Sequence, residues 1–399
     1  MISELSNVIQ PYAWGSFSAL AELRGDARPS PTPEAELWMG AHPRAPSRLV
    51  TTGQSLDQAI EQSPAEHLGR GVLGAYGERL PFLLKVLAAA APLSLQAHPS
   101  LAQATTGFAA DEAAGIPLDA AARNYKDRNH KPELLCALSE FWALCGFRRV
   151  EETLELFEEL GVPELAPFSA ELGQSPDEAG ISRVFVRLMQ APSAERGQLA
   201  RATTDACRAR AAHSQRFASE LGWAVKIGEL YPGDVGVVSA LMLNLLRLEP
   251  GEAIYLPAGN LHAYLGGTGV EIMASSDNVL RGGLTPKHVD VPELLKVLDF
   301  RPLHVEPLRS VVEAREHVYL TPAREFRLSY FDLAAAPLEV TVTGPEIWLV
   351  TSGAIELSAG GAAALRLEPA RSAFVSASTG RLRLSGSGRI FRAKVAHPG

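Results

Sequence analysis

The chain has 399 residues, of which 46% are hydrophobic and 21% are charged, as is usual for a folded globular protein. Its 37 basic and 45 acidic residues give a formal net charge of -8, which argues against nucleic acid as a partner because a phosphate backbone demands a basic face. A small anionic ligand held by a few local cations is compatible with this charge. The length predicts two or three domains.

The sequence predicts a cytoplasmic protein without a membrane segment. Its N-terminus lacks a basic stretch followed by an apolar run, so no signal peptide is expected. The apolar stretch 86–95 is broken by Pro92 and is too short to span a bilayer. The three cysteines, Cys136, Cys145 and Cys207, lack the pairing of a zinc site and are expected to be reduced.

The first part of the chain predicts strands and one helical region. Short strands and irregular loops are expected over residues 1–53, and a helical pattern follows at 54–76. The apolar stretch 80–100 then predicts two strands, the second of which contains Gln96 and His98. Alternate residues of a strand point to the same face, so these two side chains can contact one ion.

The middle of the chain changes from strand to helix. Residues 101–122 predict a helix, and a strand with Glu133 at its start follows. Between 150 and 222, apolar residues such as Leu154 and Phe157 recur at helical spacing among glutamates. This segment therefore predicts an inserted all-helical domain.

The stretch 248–290 has the strongest local signal. A pattern of Gly, Pro, Gly and His that ends at His262 resembles the second signature of the cupin barrels, jelly rolls in which an interior His usually holds a metal. Gly and Pro turn the chain at the rim, and the next strand directs its His inward, where neutral imidazole is a common metal ligand. Arg281 and Lys287 follow and predict cations near the same opening.

The C-terminal part contains a faint internal repeat. Residues 367–375 read LEPARSAFV and echo LEPGEAIYL at 248–256, at a constant offset of 119 residues. At this offset Arg381 takes the place of His262. The repeat predicts a second jelly roll without a metal, with a chance match of two short segments as the alternative.

Together these patterns predict a mainly β protein with an α-helical insertion, built from two cupin-type jelly-roll barrels plus a helical domain. This division follows the change from strand to helix and back along the chain. The predicted domains are a discontinuous metal-binding cupin domain at 1–149 and 223–300, an inserted helical domain at 150–222, and a metal-free cupin-like domain at 301–399.

Gln96, His98, Glu133 and His262 form a candidate set of four metal ligands. Nitrogen and oxygen donors in this mixture suit zinc, with manganese, cobalt or nickel as replacements, and the absence of thiolate argues against a purely structural zinc site. Each residue alone is a weak signal, because a single His at a strand end is more often structural and Glu133 could be a turn residue. The spacing around His262 and the Gln-x-His pair favour the set.

Longer motifs make the resemblance specific. Three segments of the chain read ELWMGAHP, LPFLLKVLAAAAPLSLQAHP and VEIMASSDNVLRGGLTPKHVD. They resemble motifs of type I mannose-6-phosphate isomerase, a zinc enzyme of the cupin superfamily. The resemblance implies one zinc ion per chain on the four ligands, and interconversion of mannose 6-phosphate and fructose 6-phosphate. It implies an active-site role for Arg281, with Lys131 and Asp277 as further catalytic candidates. One departure is Leu101, where many relatives have a Lys.

The chemistry of such an interconversion suggests roles for the polar residues. A base moves a proton between neighbouring carbons through an enediol while a metal polarises the oxygens. Lys131 is the first choice for base or electrostatic helper, if burial and the metal lower its pKa, and a Lys that only binds phosphate is the alternative. Arg281 is expected to clamp phosphate or, as we favour, to stabilise the enediolate. Lys287 is the phosphate candidate, and Glu271 and His130 are weaker substrate-binding candidates.

Two other functions stay open: a non-catalytic sugar-phosphate-binding cupin and a cupin oxygenase that uses iron. Oxygenase sites commonly have more His ligands than this set, which includes Gln96, and the complete set of ligands and cations argues against a sensor. The expected partner is a small-molecule sugar phosphate, with neither nucleic acid nor a membrane involved. A monomer is one option for the oligomeric state, which the sequence does not decide.

Overall fold

The computed structural model describes residues 1–334, 336–361 and 363–396, and strands form most of its regular structure outside the middle of the chain. The first elements are β1 (Ile2–Ser6), β2 (Val8–Gln10), α1 (Ala19–Arg24), β3 (Glu36–Met39), β4 (Arg48–Leu49), α2 (Leu56–Gln62), α3 (Pro64–Tyr76), β5 (Phe82–Ala89), β6 (Leu95–Ala97), α4 (Leu101–Ala113), β7 (Glu133–Ala137) and β8 (Phe141–Phe147).

Helices dominate the middle, and strands return afterwards. The middle elements are α5 (Val150–Leu160), α6 (Ala166–Gln174), α7 (Glu178–Gln190), α8 (Ser193–Arg210), α9 (Ala218–Leu230), α10 (Gly236–Leu241), β9 (Leu243–Leu248), β10 (Ala253–Leu256), β11 (His262–Ala274), β12 (Leu280–Gly283) and α11 (Val291–Val297). The last strands are β13 (Val311–Glu313), β14 (Glu316–Val318), β15 (Arg327–Leu333), β16 (Leu338–Thr341), β17 (Glu346–Ser358), β18 (Leu365–Leu367), β19 (Ser372–Val375) and β20 (Arg381–Lys394). None of the helices within the described residues is long and apolar enough to cross a membrane.

The first sheet is organised around β11. Its main path is β10-β7-β11-β5-β3-β2, with antiparallel pairing at each step. The start of β11 pairs with β6 and β8, whereas the rest of it pairs with β5 and β7. The change of partner strands occurs near Gly267, which has a φ of +119°. A Cβ at this residue would lie 2.5 Å from the Glu140 carbonyl oxygen. Only glycine fits this bend without strain.

The second sheet repeats the first. Read from β2, the path of the first sheet is β2-β3-β5-β11-β7-β10. The second sheet contains the path β13-β14-β15-β20-β17-β19, and the strands of the two paths follow one another along the chain in the same order. Strands β10 and β19 have equal lengths and are separated by the offset of 119 residues seen in the sequence, and so are the first residues of β11 and β20. The internal repeat therefore extends from a short sequence match to a six-strand arrangement.

Two of the predicted domain boundaries differ from the observed elements. The boundary at 222/223 falls inside α9, because Leu221, Ala224 and Ile227 continue the buried helical face, and the helices end only at Leu241. At the N-terminus, β1 belongs to the second sheet, where it pairs with β19 and with β4. Pairing between the two ends of a chain leaves no local signal, so the sequence placed all of 1–149 in one domain.

The two sheets and the helical segment share buried surfaces. A hydrophobic cluster common to both sheets includes Leu84, Val270, Phe374 and Phe391. A second hydrophobic cluster joins the helical segment to the first sheet. In or next to the strands of that sheet it includes Leu95, Leu261 and Leu280, and in the helical segment it includes Leu156, Phe185, Leu188 and Leu241. The helices thus pack directly behind β6 and β12.

A buried ion pair lies in the second sheet. Glu346 is fully buried, and Arg392 donates to its two carboxylate oxygens at 2.5 and 3.0 Å. The indole of Trp348 donates to the same carboxylate at 3.0 Å. Burial raises the pKa of Glu346, and Arg392 acts in the opposite direction.

We expect Arg392→Met to lower the free energy of unfolding by about 3–5 kcal/mol, because it leaves the Glu346 carboxylate buried without its partner. Arg389→Met is the matched control, since its pair with Asp332 is partly exposed and such pairs contribute about 0–1 kcal/mol. Denaturant unfolding of the purified proteins measures both values. Equal losses in the two variants would contradict the role given to the buried pair.

Candidate metal centre and active site

Three strand ends bring four polar side chains together. His98 follows β6, Glu133 begins β7 and His262 begins β11, and the antiparallel register places Gln96 opposite His262. Ligand atoms of His98, Glu133 and His262 all lie within 4.8 Å of one another, and these three side chains are buried. The four residues proposed from the sequence as metal ligands therefore converge.

The distances between the four side chains leave room for a shared ion. Nε2 of His98 is 3.3 Å from Oε1 of Glu133, and Nε2 of His262 is 3.4 Å from Oε2 of the same carboxylate. Nε2 of Gln96 lies 3.3 Å from Nε2 of His262. The nitrogen and oxygen of an amide are interchangeable by a flip, which would present the Gln96 oxygen to the same centre.

The orientation of the two imidazoles fits a metal ion. Nδ1 of His98 donates to the carbonyl of Asn278 at 2.8 Å, and Nδ1 of His262 donates to the carbonyl of Asn260 at 2.9 Å. A carbonyl only accepts, so each Nε2 keeps its lone pair, which is the arrangement of most metal-binding histidines. Within the described residues, Nε2 of His98 and Oε2 of Glu133 are buried without a hydrogen-bond partner.

The protonation states fit as well. Burial lowers the pKa of His98 to about 4, although Glu133 acts in the opposite direction, so the ring is neutral at pH 7. Burial alone would raise the pKa of Glu133, but Lys131, whose Nζ lies 2.9 Å from Oε1, acts against burial, and that pKa lies well below its usual range. Neutral imidazole and ionised carboxylate are the forms that bind a divalent metal, and this donor set suits zinc.

Lys131 and Arg281 lie beside these ligands. Nζ of Lys131 is 2.9 Å from Oε1 of Glu133, and the residue is 8% exposed. Arg281 lies on β12 opposite Gln96. Burial lowers the pKa of Arg281, and no carboxylate among the described residues opposes this effect. Its guanidinium is therefore available to a negatively charged ligand.

Asp277 is held by two residues that the sequence candidates did not include. Nη2 of Arg44 donates to its Oδ1 at 2.5 Å, and Nε2 of His42 is 3.4 Å from its Oδ2. Burial acts to raise the pKa of Asp277, but His42 and Arg44 reverse this effect and lower it. The available signal was the motif that follows β3, in which polar residues come directly after a buried strand.

The opening of the site is rich in cations. Lys287 is exposed in the turn after β12. Burial lowers the pKa of Lys287, and the nearby Arg281 and Arg44 lower it further, because like charges oppose protonation. This grouping attracts anions. Leu101, the departure noted in the sequence, begins α4 and is 52% exposed.

Glu271 and His130 are engaged elsewhere. Glu271 is 2% exposed, accepts from the hydroxyl of Tyr264 at 3.0 Å and lies 3.1 Å from Nζ of Lys85. His130 pairs with Glu325 at 2.7 Å. Both residues are thus held by partners outside the set of proposed metal ligands, and their roles in substrate binding stay predictions. Lys85 was missed in the sequence, where a single Lys within an apolar strand was the signal.

Known proteins resemble this chain along its length. The family model described as phosphomannose isomerase type I, catalytic domain, matches residues 2–150. A mannose-6-phosphate isomerase of Salmonella typhimurium is 41% identical over 98% of this chain and 99% of its own length, and one of Escherichia coli is 40% identical over the same shares. A relative from Macaca fascicularis is 35% identical over 88% of this chain and 87% of its own.

Solved structures agree with the sequence relatives. A crystal structure of mannose 6-phosphate isomerase with zinc bound matches with a TM-score of 0.91 at 39% identity, and the match covers 99% of both chains. A crystal structure of a mutant phosphomannose isomerase from Salmonella typhimurium gives the same values. The similarity extends along nearly the whole length, and the buried donors of the chain converge as a zinc site requires. This chain therefore belongs to the type I mannose-6-phosphate isomerase family.

Proposed function

We propose that the protein is a zinc-dependent aldose-ketose isomerase that interconverts mannose 6-phosphate and fructose 6-phosphate through an enediol. This proposal rests on the buried cluster of His98, Glu133 and His262 beside the guanidinium of Arg281. Two atoms of the cluster have no hydrogen-bond partner among the described residues. The names of the relatives support the same substrates. A cupin oxygenase or a non-catalytic sugar-phosphate sensor is not favoured, because these relatives are isomerases.

Gln96, His98, Glu133 and His262 would hold one zinc ion. Bound zinc supplies positive charge that polarises the oxygen atoms of the sugar. The protein prepares this site by directing Nε2 of each imidazole toward the centre and by placing Lys131 beside Glu133, whose pKa lies well below its usual range. Little rearrangement is then needed on binding.

The reaction moves one proton between neighbouring carbons of the open-chain sugar. A base removes it from the carbon beside the aldehyde as the aldehyde oxygen takes up a proton, which gives an enediol. The base then returns its proton to the former aldehyde carbon, while the neighbouring hydroxyl loses its proton and becomes the ketone oxygen. We assign this transfer to Asp277, whose lowered pKa keeps it ionised at neutral pH and whose side chain is 26% exposed. Lys131 supplies positive charge, because an ammonium group has no lone pair with which to accept a proton and its Nζ lies 2.9 Å from the Glu133 carboxylate.

The remaining polar residues divide between the reacting oxygens and the phosphate. Arg281 stabilises the charge that develops on the enediolate, since a partly buried guanidinium without a bound carboxylate is pre-organised for it. Lys287 is exposed at the opening and binds the phosphate. Glu271 and His130 order neighbouring residues through Lys85 and Glu325, without contacting the sugar.

We also propose the finer architecture. Each of the two repeated strand groups is a cupin-type jelly roll, which the common strand order supports. The metal-binding unit is formed mainly from residues 8–149 and 242–310, the helical unit from 150–241, and the second barrel from 311–396 together with β1 and β4. A monomer suffices for activity, because one chain contains every residue of the site, and the three free buried cysteines fit the reducing cytoplasm.

The proposed function is tested by a coupled assay for fructose 6-phosphate formed from mannose 6-phosphate. We expect activity in the purified protein with about one equivalent of zinc per chain, loss of activity with a strong chelator, and recovery when zinc is returned. Elemental analysis gives the metal content. Full activity of metal-free protein, or no activity of zinc-loaded protein, would falsify the proposal.

Glu133→Gln should lose most of the bound zinc together with the activity, because the only charged ligand is replaced by a neutral amide. Glu339→Gln is the matched control, since this glutamate is exposed on β16. Metal analysis and the same assay are applied to both. A Glu133→Gln variant that keeps its zinc would show that other residues hold the ion.

Arg281→Ala should lower kcat by a factor on the order of 10² and change KM much less, because the lost donor acts on charge that develops during the reaction. Arg366→Ala, at an exposed position on β18, is the control. A large rise in KM with unchanged kcat would instead assign Arg281 to the phosphate.

Asp277→Asn and Lys131→Met separate the two remaining roles. We expect Asp277→Asn to lower kcat by at least about 10², because general-base catalysis contributes about 10²–10⁴-fold. Lys131→Met should weaken zinc binding as well as activity, since it removes the cation that pairs with Glu133. Metal content and steady-state kinetics are the measurements. If Asp277→Asn keeps wild-type kcat, the proton is transferred by another group.

A further inference from the structure

Two loops without regular secondary structure are tied together next to the metal ligands. One loop, 124–132, leads directly into Glu133 at the start of β7. The other loop, 275–279, connects β11 to β12 and thus precedes Arg281. Side chains join the backbones of the two loops by hydrogen bonds. The carboxylate of Asp127 and the amide of Asn278 make most of these bonds.

The Asp127 carboxylate accepts hydrogen bonds from both loops. Its Oδ1 accepts from the backbone N–H of Asn129 at 2.8 Å and from the hydroxyl of Ser276 at 2.9 Å. Its Oδ2 accepts from the backbone N–H of Asp277 at 2.7 Å, and the Asn278 amide is 3.3 Å from Oδ1. A carboxylate with several short donors is strongly oriented.

The Asn278 side chain completes the connection. It is fully buried, and its oxygen accepts from the backbone N–H of Lys126 at 2.7 Å. Its amide group donates to the carbonyls of Asp127 and Asn129, each at 2.8 Å. Every polar atom of this buried amide therefore has a partner on the opposite loop.

The same residue contacts a metal ligand through its backbone. The carbonyl of Asn278 accepts the Nδ1–H of His98 at 2.8 Å and so fixes which nitrogen of that ring faces the metal centre. Its neighbour Asp277 is the proposed base. The loop that Asn278 anchors therefore sets the orientation of His98 and the position of Asp277 at once.

We propose that Asp127 and Asn278 form a positioning clasp that holds His98 in its metal-binding orientation. This inference rests on the zinc site of the proposed function and adds to it two residues that do not touch the metal. Partners of this kind that orient a metal-binding imidazole typically contribute about 10–100-fold in metal affinity or activity. The clasp also joins the loop that leads to Glu133 to the loop that presents Asp277, so the ligands and the proposed base are held by one set of bonds.

The test is the zinc affinity of metal-free full-length protein, measured by competition with a chromophoric chelator. We expect Asp127→Asn to raise the zinc dissociation constant by about 10–100-fold, because its amide N–H would face other donors. Asn278→Asp should do the same, because an oxygen would then face the carbonyls of Asp127 and Asn129. Ser276→Ala removes one bond to Asp127 and should give a smaller rise, which keeps the test usable if a stronger variant does not fold.

Asp177→Asn is the matched control, because this carboxylate also accepts a backbone N–H, from Gly180 at 3.0 Å, but caps a helix in the helical segment. It should leave the zinc dissociation constant unchanged even if thermal unfolding shows a similar loss of stability. Unchanged zinc affinity in folded Asp127→Asn and Ser276→Ala would overturn the clasp while leaving the isomerase proposal intact. A wild-type protein that binds no zinc would overturn both.

Discussion

The Glu133 carboxylate is only 2% exposed, and an ionised carboxylate in such a place is stable only if its partners offset the lost hydration. Lys131 is the cation among them, with its Nζ 2.9 Å from Oε1, and the pKa of Glu133 lies well below its usual range in spite of burial. The first sheet brings these residues and the two imidazoles together. β6, β7 and β11 each contribute one strand end, and two irregular loops complete the surroundings of the centre.

The second sheet stabilises a buried carboxylate in another way. Leu256 pairs with Glu133 in the first sheet, and Val375, its counterpart in the repeat, pairs with Glu346 in the second. Glu346 thus stands at the position that corresponds to Glu133 and is just as buried. Its partner is the guanidinium of Arg392, which is covalently part of the chain. A permanent cation needs no ion from solution, and removing it would leave the Glu346 carboxylate buried without a partner.

The helical segment contributes to the site through packing. Its buried side chains form one cluster with Leu95, Leu261 and Leu280, which lie beside Gln96, His262 and Arg281 in the chain. The ligand-bearing strands are therefore backed by a close-packed hydrophobic layer and resist displacement. Such backing matters because like charges gather at the opening, where Arg281 and Arg44 add to the effect of burial in lowering the pKa of Lys287.

The sequence by itself determined which four residues were candidate metal ligands, where a helical segment interrupts the strands, and that a strand pattern is repeated near the C-terminus. Gln96, His98, Glu133 and His262 could be chosen because spacing along a strand is local and fixes which side chains share a face. Only the tertiary structure decided that β1 completes the second sheet, that α9 runs past residue 222, and that Glu271 and His130 are engaged by Lys85 and Glu325.

The roles of Asp127, Asn278, His42 and Arg44 were also hidden in the sequence. Each of these residues acts by a hydrogen bond or ion pair to a loop that is distant along the chain, and a side chain in an irregular loop has no period that reveals its direction. Local spacing therefore determined which residues were candidates to bind a metal. Long-range packing decided which residues hold them in place, because contacts between distant loops form only once the strands have paired.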